Sequence, residues 1–430
     1  MSCPSGPLTF GQMSVWRDIA GLPRTRWHEG NLSHSFDLPG PVSRRQLAAA
    51  LTALQQRHPS LRTVYDTGEP PRQIVLPAQD ITDVEVVFAD VADFATRADE
   101  LKHTAFDLAV DRPFRVAAMA IGPVVDDPDA ANITRLCFCL HHMAADGWSI
   151  GLMLMDTMVL LGFGGELQPT PPRSLLEEAR EQRDSPASAA RTRAAQKHYR
   201  DIYAADATSF LDREASRGGR ESALESQRLR EAAHRLAAAE KVSLSTLFTA
   251  AFVNSVSQHC HPGPIRVGLM AGNRLTERWR SHVTSMNQLA LMLVQPRPDE
   301  ELAELFADIG VATMRAYRHG IHDVDQMTVS ALGLDKDPAA VKFLCMFNFM
   351  DGAAVDYRDQ DVDGQEPAEP VVHPEPVFSQ ISAGCYLRVY ETTEQTVRLR
   401  LRTGGLTDQT HTSILTGVYH RVLAAATQTV

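Results

Sequence analysis

Residues 141–149 read His-His-Met-Ala-Ala-Asp-Gly-Trp-Ser, which places two imidazoles and a carboxylate within six positions. They directly follow the apolar run 133–140, ITRLCFCL, which reads as a buried strand. Side chains alternate along a strand, so Cys137, Cys139 and His141 share one face while Leu136, Phe138, Leu140 and His142 share the other. The two histidines therefore have different jobs unless the chain bends there. A neutral imidazole can take a proton from an attacking nucleophile, which is worth roughly 10²–10⁴ in rate. It can also stabilise a charged tetrahedral state electrostatically. Both roles stay open at this level. Asp146 precedes Gly147, the expected turn into a helix, and reads as paired structure rather than as a base. Ser149 is expected to cap or orient. Cys139 could form a Cys–His nucleophile with His141, but its place inside an apolar strand reads as an inert core thiol. The tract His259-Cys260-His261 supplies too few ligands for a metal, and none is expected.

Several elements must hold this group in place. Residues 8–20 and 43–57 read as amphipathic helices. The second has Ser43 and Gln46 as a capping box and Leu47, Leu51 and Leu54 at helical spacing. Short β-branched runs at 61–66, 72–76 and 83–88 read as strands, 90–105 as a helix, and 114–121 and 133–140 as buried strands. An apolar helix is expected at 148–161. Gly164, Gly165, Pro169, Pro171 and Pro172 mark a boundary at 164–173, giving lobes over 1–168 and 169–430. Beyond it, 174–204 and 225–240 are polar helical patterns, and 243–258 is a helix capped by Ser243. Strands return at 264–270, 286–294, 342–350, 384–392 and 396–402, before a final helix at 407–426. Each half mixes helices with a sheet, so two α/β lobes are expected.

Composition narrows the function classes. Hydrophobic residues make up 44% and charged residues 22%, which suits a packed chain. The net charge of −11 and the lack of a Lys/Arg run argue against nucleic acid. Much of that charge lies in 351–376, with eight acids, the single base Arg358 and four prolines, and this segment reads as a solvated loop. The six scattered cysteines, the absence of a leader-like start and the lack of an ~18-residue apolar run point to a cytoplasmic chain. The alternating Arg398, Arg400 and Arg402, with Arg388, form a basic strand face. It reads as solvated first, and as an attractor of phosphate or an acidic partner second.

The run His141 to Gly147 resembles HHxxxDG, the signature of the condensation domains of nonribosomal peptide synthetases and related chloramphenicol-acetyltransferase-like acyltransferases. Leu8 to Trp16 is similar to the family's first motif, with Gly11 where alanine is usual. Arg57-His58-Pro59-Ser60-Leu61-Arg62-Thr63-Val64-Tyr65 resembles the second. Phe106-Asp107-Leu108 and Arg112-Pro113-Phe114-Arg115 resemble the segment before the active-site strand. Gly272-Asn273-Arg274 and Met286-Asn287 resemble pieces of the fifth, with Val283 at a usual glycine. His319 and Phe343 to Asn348 match loosely.

The resemblance implies an α/β fold of two acetyltransferase-like lobes in a V-shaped pseudo-dimer with a tunnel between them. It implies His142 as the catalytic residue, with His141 and Asp146 shaping the site. It also implies an ion pair from Asp146 to Arg57 or Arg62, and support from Gly147, Trp148 and Ser149. Asn273, Arg274, Asn287 and Asn348 become tunnel candidates, and Trp148 is expected to pack beneath the site. The implied reaction joins a carrier-bound acyl or aminoacyl thioester to an amine in specialised metabolism, without an acyl-enzyme. No cofactor is held permanently; phosphopantetheine arms arrive on donor and acceptor carrier proteins, or the acceptor is a free small molecule. A free-standing monomer is expected, since no further domain is seen before Met1 or after Val430. Ester formation, coenzyme A thioesters and a non-catalytic docking platform are the competing expectations.

Overall fold

The computed structural model describes residues 3–428 apart from 79–84, 123–126, 172, 215–216, 298–299, 328–344, 351–368, 378–383 and 393–394. In chain order the first elements are β1 (Ser5–Pro7), α1 (Phe10–Ala20), β2 (Asn31–Ser43), α2 (Arg44–Arg57), β3 (Thr63–Asp66), β4 (Arg72–Val75), β5 (Glu85–Ala89), α3 (Phe94–His103), β6 (Phe114–Ala120), β7 (Ala131–His141), α4 (Gly147–Leu160) and α5 (Leu175–Asp184). There follow α6 (Pro186–Tyr203), β8 (Gly219–Ser226), α7 (Gln227–Glu240), α8 (Leu244–Ser257), β9 (Ile265–Ala271), α9 (Glu277–Arg280), β10 (Gln288–Val294), α10 (Leu302–Arg318), β11 (Cys345–Met350), β12 (His373–Glu375), β13 (Cys385–Glu391), β14 (Val397–Gly404) and α11 (Asp408–Gln428).

The chain forms two compact units. One comprises Met1–Ala189 with Gly272–Asn287, the other Ala190–Ala271 with Gln288–Val430. Linear reading divided the chain once, near 168. In the structure, the connection between the antiparallel strands β9 and β10 is a long excursion that belongs to the first unit.

The first unit holds the sheets β1-β4-β3 and β2-β7-β6-β5. Strand β7 lies inside the second sheet, paired with β2 and β6 on either side. Its residues Leu136, Phe138 and Leu140 enter one core, where Phe138 meets Phe36 at 4.9 Å and Phe114 at 5.1 Å, both edge-on. The capping box expected at Ser43 and Gln46 is present, and Thr9–Gln12 forms another on α1. Strand β2 escaped the linear reading because its stretch 38–42, LPGPV, looks like a turn. It is an edge strand with a register irregularity between Asp37 and Val42, the setting in which proline is tolerated.

The second unit is built on one seven-stranded sheet, β10-β9-β11-β13-β14-β8-β12. Helices α7, α8, α10 and α11 contribute to its core with Leu236, Phe248, Ile309 and Tyr419. The basic face on β14 is not solvated. Arg400 and Arg402 are buried. Arg400 Nε lies 2.6 Å from Glu221 and 2.7 Å from Glu375, Arg388 reaches Glu221 at 2.6 Å, and Arg398 pairs with Glu375. Glu221 and Glu375 come from the neighbouring strands β8 and β12, so the carboxylates that neutralise the face are supplied by register. The acidic stretch expected as a loop thus ends in β12; residues 351–368 lie outside the described residues. Among the described residues, no single helix is long and apolar enough to cross a membrane.

Trp16, Trp27, Trp148 and Trp279, the four tryptophans, all lie in the first unit, so indole fluorescence follows that unit's unfolding. Phe138→Ala is expected to lower its stability by about 3–5 kcal/mol in denaturant titrations. A change below about 1 kcal/mol would contradict the packing described.

Candidate functional site

Strand β7 delivers the two histidines to its C-terminal end, where neighbouring segments hold both backbones. His141 N–H donates to the Pro113 carbonyl at 3.1 Å, and His142 N–H donates to the Gly30 carbonyl at 2.7 Å. Gly30 has no room for a side chain: a Cβ there would lie 2.5 Å from Ile19 Cδ1 and 2.9 Å from His141 Nε2. Residues 142–144 turn, and α4 begins at Gly147 with Asp146 as its N-cap, accepting from Ser149 N–H at 2.9 Å. The turn expected at Gly147 therefore falls earlier. A Cβ at Gly147 would meet nothing within 4 Å.

The two imidazoles adopt opposite proton arrangements. His142 Nδ1 lies 2.9 Å from the Ala145 carbonyl. A carbonyl only accepts, so Nδ1 carries the proton, and in the neutral ring Nε2 is left with a free lone pair. His141 Nδ1 instead accepts from Met143 N–H at 3.3 Å, which puts its proton on Nε2. His141 is 1% exposed, and burial first, then His142, lowers its pKa to about 3. It stays neutral at physiological pH. Among residues 141–149 only His142, Gly147 and Trp148 are not buried.

Asp146 is 1% exposed and does not meet either arginine of the second motif. Its partner is Arg274, from the excursion between β9 and β10. One terminal nitrogen of that guanidinium lies 2.8 Å from Oδ1 and 3.0 Å from Oδ2. The same nitrogen reaches the Ser149 hydroxyl at 3.0 Å and the Thr284 carbonyl at 2.9 Å. The other donates to the carbonyls of Trp279 at 2.7 Å and His282 at 2.8 Å. Met286 N–H adds a further bond to Asp146 Oδ2 at 3.0 Å. Arg274 is 8% exposed and serves as the ion partner of Asp146.

Arg57 and Arg62 lie elsewhere for a geometric reason. Arg57 ends α2, which packs along α4 and meets it ten residues beyond the cap, about 15 Å along the axis. There Asp156 accepts from Arg57 Nε at 2.7 Å, His58 Nε2 at 2.9 Å and Gln168 N–H at 2.7 Å. Arg62 donates to the Leu76 carbonyl after β4. Trp148 is 51% exposed with its indole N–H on the Arg280 carbonyl at 2.8 Å, so it does not pack beneath the site. Ser149 is buried at the third position of α4 and braces Asp146, as a residue that orients would. Asn273 is buried in a left-handed conformation (φ 55°), and its amide donates to the Met286 carbonyl at 2.9 Å. Asn287 is half-buried at the end of the excursion, and Asn348 lies half-buried on β11 in the second unit. Val283 fits into the first unit's core. Cys139 is fully buried, its thiol pushed up to about 12 chiefly by burial, which removes it as a nucleophile. Among the described residues, no group of three or more His, Cys, Asp or Glu is arranged to hold a metal.

Comparison with known proteins agrees with this frame. The family profile described as Condensation domain matches residues 24–351. A probable non-canonical nonribosomal peptide synthetase, CymA, from Salinispora arenicola (strain CNS-205) is 32% identical over 154 residues, covering 35% of this chain and 2% of that protein. The chain thus spans only a small fraction of that relative's length. The condensation domain from monacolin K polyketide synthase MokA superposes with a TM-score of 0.78 at 14% identity, over 99% of this chain and 98% of that one. The epimerization domain from the third module of tyrocidine synthetase B superposes with a TM-score of 0.75 at 14% identity, over 100% and 99%. The fold is therefore that of these domains, and it serves more than one named reaction.

Two outcomes are expected. Arg274→Ala leaves the Asp146 carboxylate buried without its cation, and should lower the first unit's stability by about 3–5 kcal/mol in fluorescence-monitored unfolding. Wild-type stability would remove the pair's assigned role. His34, His141 and His282, all in the first unit, have pKa values lowered chiefly by burial to about 4, 3 and 4. An unfolded imidazole titrates near ~6.5, so below that pH the unfolded chain binds protons that the folded chain refuses. Stability should fall as pH drops from about 6 to 4, by about 1.4 kcal/mol per pH unit for each such histidine. His34→Phe should make that slope shallower by about one proton, measured by denaturation at several pH values.

Proposed function

The chain belongs to the condensation-domain family, and we propose that it joins a carrier-bound acyl or aminoacyl thioester to an amine acceptor, forming an amide with the help of His142. One observation carries this reading: His142 Nδ1 is committed to the Ala145 carbonyl, so the basic Nε2 of the half-buried imidazole remains for an incoming nucleophile. The acceptor nitrogen attacks the thioester carbon and the imidazole takes the nitrogen's proton. The C–S bond then breaks, and the departing thiolate accepts a proton in turn. Acyl transfer from a thioester is downhill, so no nucleotide is consumed. The donor acyl group arrives on a phosphopantetheine arm, which acts as substrate and not as a resident cofactor.

The remaining motif residues support the base without touching the reaction. Asp146, saturated by Arg274, Ser149 and Met286, has no free lone pair directed at a substrate and serves to hold the end of the turn. His141 is too acidic as its conjugate acid to accept a proton near neutral pH.

The test supplies a defined acyl thioester on a carrier protein, then on coenzyme A, each with amine and alcohol acceptors. Amide from the carrier thioester is expected, with His142→Ala slower by about 10²–10⁴ at unchanged fluorescence-monitored stability. Turnover that survives in His142→Ala would overturn the role of the imidazole. Product only with coenzyme A, or only with alcohols, would replace the donor or the acceptor named here.

A further inference from the structure

Gly11 lies in the first turn of α1, buried, and its φ is not in the left-handed region, so its backbone conformation does not require glycine. Space does. A Cβ at position 11 would lie 2.6 Å from Met286 Cα, 2.8 Å from the Met286 carbonyl carbon and nearer still to the Ser285 carbonyl oxygen. All three are backbone atoms, which cannot swing aside as a side-chain tip can. The start of α1 cannot easily retreat either. The Thr9–Gln12 capping box holds it, and Phe10 N–H donates to Gln182 Oε1 of α5 at 2.7 Å. The segment Thr284–Met286 therefore sits at a depth that only glycine permits.

That depth reaches the site. The segment presents Met286 N–H to Asp146 at 3.0 Å, and the Ser285 hydroxyl to His142 Nδ1 at 3.4 Å. Ser285 is fully buried. Since Nδ1 already donates to the Ala145 carbonyl, the Ser285 oxygen takes a second share of the same N–H. Asp146, which receives the Met286 N–H, is itself neutralised by Arg274.

We propose that Gly11 and Ser285 act together as positioning residues that keep the His142 proton on Nδ1, so that Nε2 stays basic. This rests on the reading of His142 as the assisting base. Its decisive measurement does not depend on turnover.

The test is long-range ¹H–¹⁵N correlation of the ring nitrogens in histidine-labelled full-length protein, with His142 assigned by its absence in His142→Gln. The wild type should show a single neutral form protonated on Nδ1. Ser285→Ala and Gly11→Ala should each lower the ratio of Nδ1–H to Nε2–H forms by about 2- to 10-fold, the worth of one ordinary hydrogen bond. Ser285→Thr, which keeps the hydroxyl, should restore it. In the acyl-transfer assay kcat should fall by a similar factor with KM unchanged. His142 ring signals identical to wild type in Ser285→Ala would overturn the proposal, whether or not Gly11→Ala folds. Absence of amide product from the wild type would instead sink the functional reading and leave the ring measurement to decide this one.

Discussion

A carboxylate and a guanidinium, both almost without solvent, meet where β7 gives way to α4. Burying either charge alone costs several kcal/mol, and only close geometry with saturated hydrogen bonding offsets it. Asp146 and Arg274 meet that condition: the guanidinium touches carbonyls of Trp279, His282 and Thr284 as well as the carboxylate. The pair joins residues far apart in sequence and ties the β9–β10 excursion to the cap of α4. Arg278 adds a second tie, to Glu178 and Glu181 on α5. The turn carrying His142 is thus held at one end by the strand and at the other by an ion pair. The imidazole's orientation follows from both.

Within that frame two adjacent, chemically identical side chains are driven to different ends. His141 lies against Phe106 and the bare Cα of Gly30, and loses its basicity to desolvation. His142, one residue on, has left the strand. Its ring turns back to the carbonyl of Ala145 and keeps partial access to solvent. A backbone group faces Nδ1 in each case: an amide N–H for His141, a carbonyl for His142. Strand alternation anticipated that the two would differ; the backbone partners show how.

The second unit makes a complementary point about charge. A strand with arginine at alternate positions invites a reading in terms of phosphate or an acidic partner. Here register places Glu221 and Glu375 against those arginines, so the positive charge is spent inside the sheet. A basic alternation in one strand says nothing about surface potential until the neighbouring strands are known.

Much of the frame was legible in order along the chain. Apolar periodicity and capping residues located α2, α4, α8, β6, β7 and β14, because those signals are local. The strand end at His141 and the helix cap at Asp146 were legible too, since a strand end followed by a helix cap is also a local pattern. Strand β2 was hidden because an edge strand tolerates the prolines and glycine that elsewhere mean a turn. The partner of Asp146 was hidden for a different reason. Arg57 and Arg62 were nearer in sequence, but the reach of a side chain is set by where its helix packs, and α2 meets α4 some turns beyond the cap. By itself the sequence determined which residues could do chemistry and which elements carry them. Only the tertiary structure decided which arginine neutralises Asp146, which histidine is buried, and why Gly11 must be small. Ion pairing, desolvation and close contact act through distances in space, and linear order does not specify those.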